Sequence, residues 1–130
     1  MAESPETSVA AYLERLAAGD LDGVLALFRD DAVVESPLYG QMSARAFYTG
    51  LFEDTERSEI TPVETFLSTS DPRRVAVRFR YDWTLADGTP TTFDCVDVME
   101  FGAGPDGRIA RLTIIYDTHP LRSVWAGVRS

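Results

Sequence analysis

Residues 75–84, which read VAVRFRYDWT, decide the fold because apolar and polar side chains alternate along them. A period of two is typical of a β-strand that buries one face and exposes the other. Similar runs predict further strands over residues 61–70, 91–101 and 108–118. Short turns separate these strands, at residues 71–73, 86–89 and 102–107. Because short turns join antiparallel neighbours, we expect four consecutive antiparallel strands.

The residues before this region follow the period of a helix. Apolar side chains recur there at helical spacing, at Val9, Tyr12, Leu13, Leu16 and Ala17. They predict an amphipathic helix over residues 6–18, which Gly19 ends. A second short helix is predicted over residues 21–28 and a strand over residues 32–36. Ser43 is a typical N-cap for a third helix.

The order of these elements indicates an α+β fold with a single domain over residues 1–130. We expect a curved antiparallel sheet wrapped around the N-terminal helices. The space between the sheet and the helices then forms a cone-shaped pocket, which is a natural site for a small molecule.

The charged and sulfur-containing residues exclude several kinds of chemistry. The chain has 21 acidic and 12 basic residues and a formal net charge of −9. All basic residues are arginine, so Schiff-base chemistry on a lysine is excluded. A single cysteine and a single histidine exclude an internal disulfide and argue against a zinc site. No metal and no cofactor are implied.

The distribution of charge and hydropathy bears on partners and location. Residues 1–65 hold 13 acids and 4 arginines, which disfavours binding to nucleic acid. No apolar run approaches the roughly 20 residues of a membrane span. The N-terminus is acidic and polar, unlike a signal peptide, so we expect a cytoplasmic protein without membrane association.

The predicted strand over residues 91–101 carries an acid on its apolar face. Alternation places Asp97 on the same face as Phe93, Cys95, Met99 and Phe101. Burial disfavours the charged form, so we expect a raised pKa and a neutral carboxylic acid at neutral pH, able to donate a hydrogen bond to a ligand oxygen. The alternative is a carboxylate that is solvated or satisfied by the backbone.

Two tyrosines lie on the apolar sides of predicted helices. Tyr12 belongs to the first helix and Tyr48 to the third. Buried tyrosines are common core residues whose hydroxyls find a partner. If Tyr12, Tyr48 and Asp97 converge, however, their O–H groups would form an oxyanion hole in an apolar pocket.

Two segments resemble bacterial ketosteroid isomerase. The first runs from Tyr12 to Pro37 and includes GDLDGVLALF; the second combines CVDVMEF at 95–101 with GRIARL at 107–112. The resemblance covers about residues 8–118. It places the chain in the broader nuclear-transport-factor-two-like superfamily, which includes the SnoaL-like proteins, and it implies a homodimer formed through the outer face of the sheet.

The resemblance also implies roles for individual residues. Tyr12 matches the oxyanion-hole tyrosine of the isomerase, and Asp97 matches its protonated aspartic acid. Tyr48 matches a tyrosine that supports the first one by hydrogen bonding. The general base of the isomerase, however, is an aspartate before a proline, where this chain has Ser36. A serine without an adjacent base does not remove a proton from carbon near pH 7.

Other candidates for the missing base are few. Strand alternation points Glu35 to the opposite face of the sheet, and Asp117 also points away from the pocket. His119 lies in a terminal segment that can fold over the pocket mouth. In the limonene-epoxide hydrolases, an Arg/Asp pair activates water, but this chain has Cys95 where the arginine is required. An Asp97/Asp117 pair acting on water stays open.

These observations leave two functions. The first is an enzyme that polarises an oxygen of a hydrophobic carbonyl or epoxide compound, as an isomerase, cyclase or hydratase. The second is a non-catalytic ligand-binding or accessory protein that keeps the pocket and lacks the base. The residues expected to contact the ligand are Phe79, Phe93, Cys95, Met99, Ile114 and Tyr116.

Overall fold

The computed structural model describes residues 4–104 and 107–129. The helices are α1 (Pro5–Ala18), α2 (Leu21–Leu25), α3 (Ala44–Glu53) and α4 (Arg122–Arg129). The strands are β1 (Phe28–Ser36), β2 (Gly40–Ser43), β3 (Thr55–Leu67), β4 (Arg74–Leu85), β5 (Pro90–Phe101) and β6 (Ile109–Ile115). They form one sheet in the order β2-β1-β6-β5-β4-β3, curved around the N-terminal helices. This confirms the predicted α+β fold.

Helices α1 and α3 begin and end where their sequences predict. Ser43 caps α3, because its Oγ accepts a hydrogen bond from the Ala46 backbone amide at 3.1 Å. Gly19 ends α1 with φ 68°, a left-handed conformation that suits glycine. The side of α1 that faces the sheet buries Val9, Tyr12, Leu13 and Leu16. No helix in the described part of the chain has the length and apolar character needed to cross a membrane.

The alternation along β4 and β5 is confirmed. On β4, the predicted inner face from Val75 to Trp83 is buried, and Leu85 continues it. On β5, Asp97 is buried with its apolar neighbours, and Phe93 near the strand start is half-buried. The register places Phe79 opposite Cys95, so the inner faces of the two strands form one wall.

The N-terminal half enters the sheet earlier than predicted. The helix expected over residues 21–28 ends at Leu25, and Phe28 starts β1. The Leu27 carbonyl accepts a hydrogen bond from the Ile109 amide at 2.8 Å, which ties this segment to β6. Because β1 runs parallel to β6, the sheet is not wholly antiparallel.

Several element boundaries also differ from the prediction. Strand β3 begins at Thr55 rather than at residue 61, and β6 ends at Ile115 rather than at residue 118. Strand β2 and helix α4 were not predicted. The turn predicted over residues 102–107 includes residues 105 and 106, which lie outside the described residues.

Candidate active site

A cavity lies between helices α1 and α3 and the inner face of the sheet. Eight of its fourteen lining residues are aromatic. It offers about 40 Å³ to the centre of a water-sized sphere, and the whole concavity encloses about 430 Å³ of empty space out to its mouth. This size and lining suit a small, mostly apolar molecule.

Asp97 is the single carboxylic acid among the residues that line this cavity. Its side chain is buried, and Oδ1 accepts a hydrogen bond from the Cys95 thiol at 3.1 Å. Desolvation raises the pKa of Asp97 to about 7, and hydrogen bonds from Cys95 and Tyr12 oppose that rise. Asp97 is therefore close to half ionised at pH 7, whereas the sequence predicted a fully neutral acid.

Tyr12 and Tyr48 form a buried pair behind Asp97. Their hydroxyl oxygens are 2.7 Å apart, and either hydroxyl can be the donor. Desolvation raises the pKa of both tyrosines well above the usual value, so both stay protonated donors. Tyr12 lines the cavity, whereas Tyr48 lies behind it and supports its hydroxyl.

Ser36 lines the cavity, but its oxygen is occupied by the backbone. Oγ accepts hydrogen bonds from the amides of Leu38 and Tyr39, both at 3.2 Å. It also lies within hydrogen-bond contact of Tyr116. These contacts hold the turn after β1 in place, so Ser36 has a structural partner set and no adjacent base.

Three more polar tips around the cavity are held by residues outside its lining. The Tyr81 hydroxyl shares a hydrogen bond with Ser58 at 2.7 Å. Trp83 Nε1 donates to Thr55 Oγ1 at 2.8 Å. The Tyr39 hydroxyl donates to Asp54 Oδ2 at 2.5 Å. The cavity wall is consequently apolar apart from the neighbourhood of Asp97.

Comparison with known proteins assigns the family. Residues 9–112 match the SnoaL-like domain. This chain belongs to the SnoaL-like family. The predicted membership in the nuclear-transport-factor-two-like superfamily is thereby confirmed.

Solved structures share the fold of this SnoaL-like protein at low sequence identity. A nuclear transport factor 2-like protein of unknown function from Exiguobacterium sp. 255-15 has a TM-score of 0.71 at 20% identity, over 85% of this chain and 98% of that one. SalBIII, an epoxide hydrolase/cyclase-like enzyme in pyran ring formation of salinomycin, has a TM-score of 0.71 at 22% identity, over 86% and 89%. A protein from Catenulispora acidiphila with a ketosteroid isomerase-like fold has a TM-score of 0.70 at 16% identity, over 88% of both chains.

Not every residue predicted from the sequence lies at the cavity of this SnoaL-like chain. Phe79, Phe93, Cys95, Ile114 and Tyr116 line it. By contrast, Met99 is fully buried in the core but does not line the cavity.

The alternative bases also lie elsewhere. Glu35 forms an ion pair with Arg111 and accepts a hydrogen bond from Thr113, away from the cavity. Asp117 and His119 are exposed, and Asp117 accepts a hydrogen bond from the His119 amide at 3.0 Å. Because neither residue lines the cavity, the structure does not form the Asp97/Asp117 pair.

The structure adds six lining residues that the sequence analysis did not assign to the site. They are Leu16, Tyr39, Phe47, Leu51, Tyr81 and Trp83. Five of them lie on helix or strand faces that were predicted to be apolar, so their periodicity carried the signal. Tyr39 lies in the turn between β1 and β2, where no periodic pattern points to it.

Proposed function

We propose that this SnoaL-like protein is a small-molecule enzyme that activates the oxygen of a hydrophobic carbonyl or epoxide compound for isomerisation or cyclisation. The observation that carries the proposal is a single buried acid, Asp97, in a cavity with an aromatic wall, hydrogen-bonded by Cys95 and Tyr12. A pKa of about 7 allows Asp97 to donate and to accept a proton near neutral pH.

The protonated form of Asp97 supplies the electrophilic part of the reaction. Its O–H donates to the ligand oxygen, and Tyr12 places a second donor in the same region. Negative charge that develops on the ligand oxygen is then stabilised in a site with low polarity. Tyr48 keeps the Tyr12 hydroxyl oriented through the 2.7 Å hydrogen bond.

The lack of a second base in the lining favours reactions that return the proton to the same acid. In an epoxide-opening cyclisation, Asp97 gives its proton to the epoxide oxygen as the C–O bond breaks. A hydroxyl of the same substrate forms the new C–O bond, and its proton passes to the Asp97 carboxylate. The reaction balances without a cofactor, and SalBIII, named as a cyclase-like enzyme, gives a precedent on this fold.

The binding half of the proposal is tested with 2-naphthol, a phenol that mimics an enolate. We expect Asp97→Ala to weaken binding roughly 10- to 100-fold, since it removes a hydrogen bond to a buried acid, and Tyr48→Phe to weaken it less. Asp94→Ala is the matched control, because Asp94 lies on the same strand but is exposed and pairs with Arg78. Equal affinity of the parent and Asp97→Ala would refute the assignment.

The catalytic half is tested with two substrates. A 4,5-epoxy alcohol should cyclise with the parent protein and not with Asp97→Ala. A 5-ene-3-ketosteroid should isomerise slowly with the parent and faster with Ser36→Asp, which restores a carboxylate at the position of the missing base. Binding of 2-naphthol without turnover of either substrate in the parent would favour the non-catalytic ligand-binding function.

We also propose that two copies of the chain associate through the outer face of the sheet. Phe66 and Ile115 are about half exposed there, at 51% and 55%, and the half-buried Val96 and Val98 lie between them. Exposed ion pairs border this apolar patch, including Arg78–Asp94 and Arg74–Glu100. An apolar centre with a charged rim is the usual composition of an interface between proteins.

A further inference from the structure

The polar side chains around the cavity are already hydrogen-bonded to the protein. Tyr39 donates to Asp54, Tyr81 is bonded to Ser58, Trp83 donates to Thr55, and Ser36 accepts from two backbone amides. Only the group at Asp97 combines a buried, titratable oxygen with a place in the lining. A ligand therefore meets one polar contact point and an apolar wall.

We infer that the cavity selects ligands with a single polar oxygen, and that Ser58 and Thr55 determine this specificity although neither lines the cavity. The inference rests on the proposed function in one respect, namely that Asp97 binds the ligand oxygen. It deepens that function by naming the class of substrate: a hydrocarbon skeleton whose buried part carries one carbonyl, epoxide or phenol oxygen.

The energetic reason is the loss of hydration at a second polar group. A second hydroxyl within the cavity would leave water and find its possible partners already occupied. A buried hydroxyl without a partner weakens binding by roughly 5- to 150-fold. Specificity of this kind arises because the wrong ligand leaves a polar group unsatisfied.

Ser58 acts by occupying the hydroxyl of Tyr81. The two oxygens are 2.7 Å apart, and Ser58 is half-buried on β3. Replacing Ser58 by alanine removes this partner and leaves the buried Tyr81 hydroxyl able to bond to a ligand. The variant should therefore accept a second oxygen on the ligand without a change at Asp97.

Thr55 acts in the same way on Trp83. Its Oγ1 accepts from Trp83 Nε1 at 2.8 Å and donates to the Leu51 carbonyl at 2.6 Å. Both functions of this hydroxyl are thus used within the protein. Thr55→Val keeps the shape of the side chain and frees the Trp83 N–H to donate to a ligand oxygen.

The test compares ligands that differ by a methyl group in place of a hydroxyl. The dissociation constants of 6-methyl-2-naphthol and naphthalene-2,6-diol are measured by fluorescence titration, and the 2,7-isomers repeat the comparison. We expect the parent to bind each methyl compound at least 5-fold more tightly than its diol. In Ser58→Ala or Thr55→Val, at least one of these preferences should fall by 5-fold or more.

Two controls separate this effect from a general loosening of the fold. Thr61→Ala changes an exposed residue of β3 that pairs with Arg80, and it should keep the parental preference. The double variant Ser58→Ala/Tyr81→Phe removes the freed hydroxyl and should restore the preference. A loss of preference that persists in the double variant would contradict the role of Ser58.

The outcomes for the two proposals are distinct. Equal binding of the methyl compound and the diol by the parent, with weaker binding of both by Asp97→Ala, would overturn the specificity and leave the proposed function intact. An unchanged preference in both Ser58→Ala and Thr55→Val would overturn the role of these two residues. Binding that is insensitive to Asp97→Ala would overturn the proposed function itself, and the specificity with it.

Discussion

The side chain of Asp97 couples the stability of the protein to pH. Its pKa is raised from 3.8 to about 7 in the folded state, so the folded chain holds a proton that the unfolded chain releases above about pH 4. This contribution to stability is complete below pH 4 and is lost as pH rises to 7. Between pH 5 and pH 7 the loss amounts to about 3 kcal/mol.

Asp97→Asn should remove this dependence. Relative to the parent, we expect the free energy of unfolding of the variant to be higher at pH 8 than at pH 5 by about 3 kcal/mol. Urea unfolding at the two pH values measures the difference. Asp94→Asn, at an exposed position on the same strand, should change the free energy of unfolding equally at both. The same result for both variants would show that Asp97 is not the source.

At this scale the sequence indicated part of the candidate site. Alternation placed Asp97 inside the fold, and helical spacing did the same for Tyr12 and Tyr48. The pairing of their hydroxyls depends on distances between elements that are far apart in the chain, and only the resemblance to the isomerase suggested it. The contacts of Ser36 depend on the local path of the turn, which residue types alone do not determine.

Helix α3 depends on its N-cap. Ser43 Oγ accepts from the Ala46 amide at 3.1 Å, and the helix places Phe47, Tyr48 and Leu51 around the cavity. Ser43→Ala should lower the free energy of unfolding by about 1 kcal/mol, because one amide of the first turn loses its partner. Ser43→Asp should keep the parental stability, since aspartate caps helices equally well. Urea unfolding of the three proteins tests this, and similar destabilisation by both substitutions would argue against capping.

The errors at the scale of elements have local causes. Leu21, Val24, Leu25 and Phe28 fit helical spacing, yet Phe28 is drawn into β1 by pairing with Ile109 far along the chain. Short-range periodicity cannot contain that contact. Strand β2 has four residues and no alternation of apolar side chains. Helix α4, in contrast, does carry helical spacing at Leu121, Val124, Trp125 and Val128, so its sequence held a usable signal.

The proposed dimer makes a prediction for the whole molecule. Ile115→Arg places a charge within the apolar patch on the outer face and should shift sedimentation equilibrium from twice the 14.4 kDa chain mass to that mass. Leu67→Arg is the control, because Leu67 is 61% exposed but pairs with Val75, whose side chain faces inward. A parent that sediments as a single chain, or equal effects of the two substitutions, would contradict the proposed interface.

The hydrogen bond from Cys95 to Asp97 gives the protein an internal spectroscopic reporter. Cys95 is the single cysteine of the chain, and its S–H stretching vibration absorbs where other protein groups are silent in the infrared. A thiol that donates to a carboxylate vibrates at lower frequency than one that donates to a neutral acid. Titration through pH 7 should therefore shift this band downward as the acid ionises, and bound ligand should move the midpoint, so the proton in the cavity can be followed without a label.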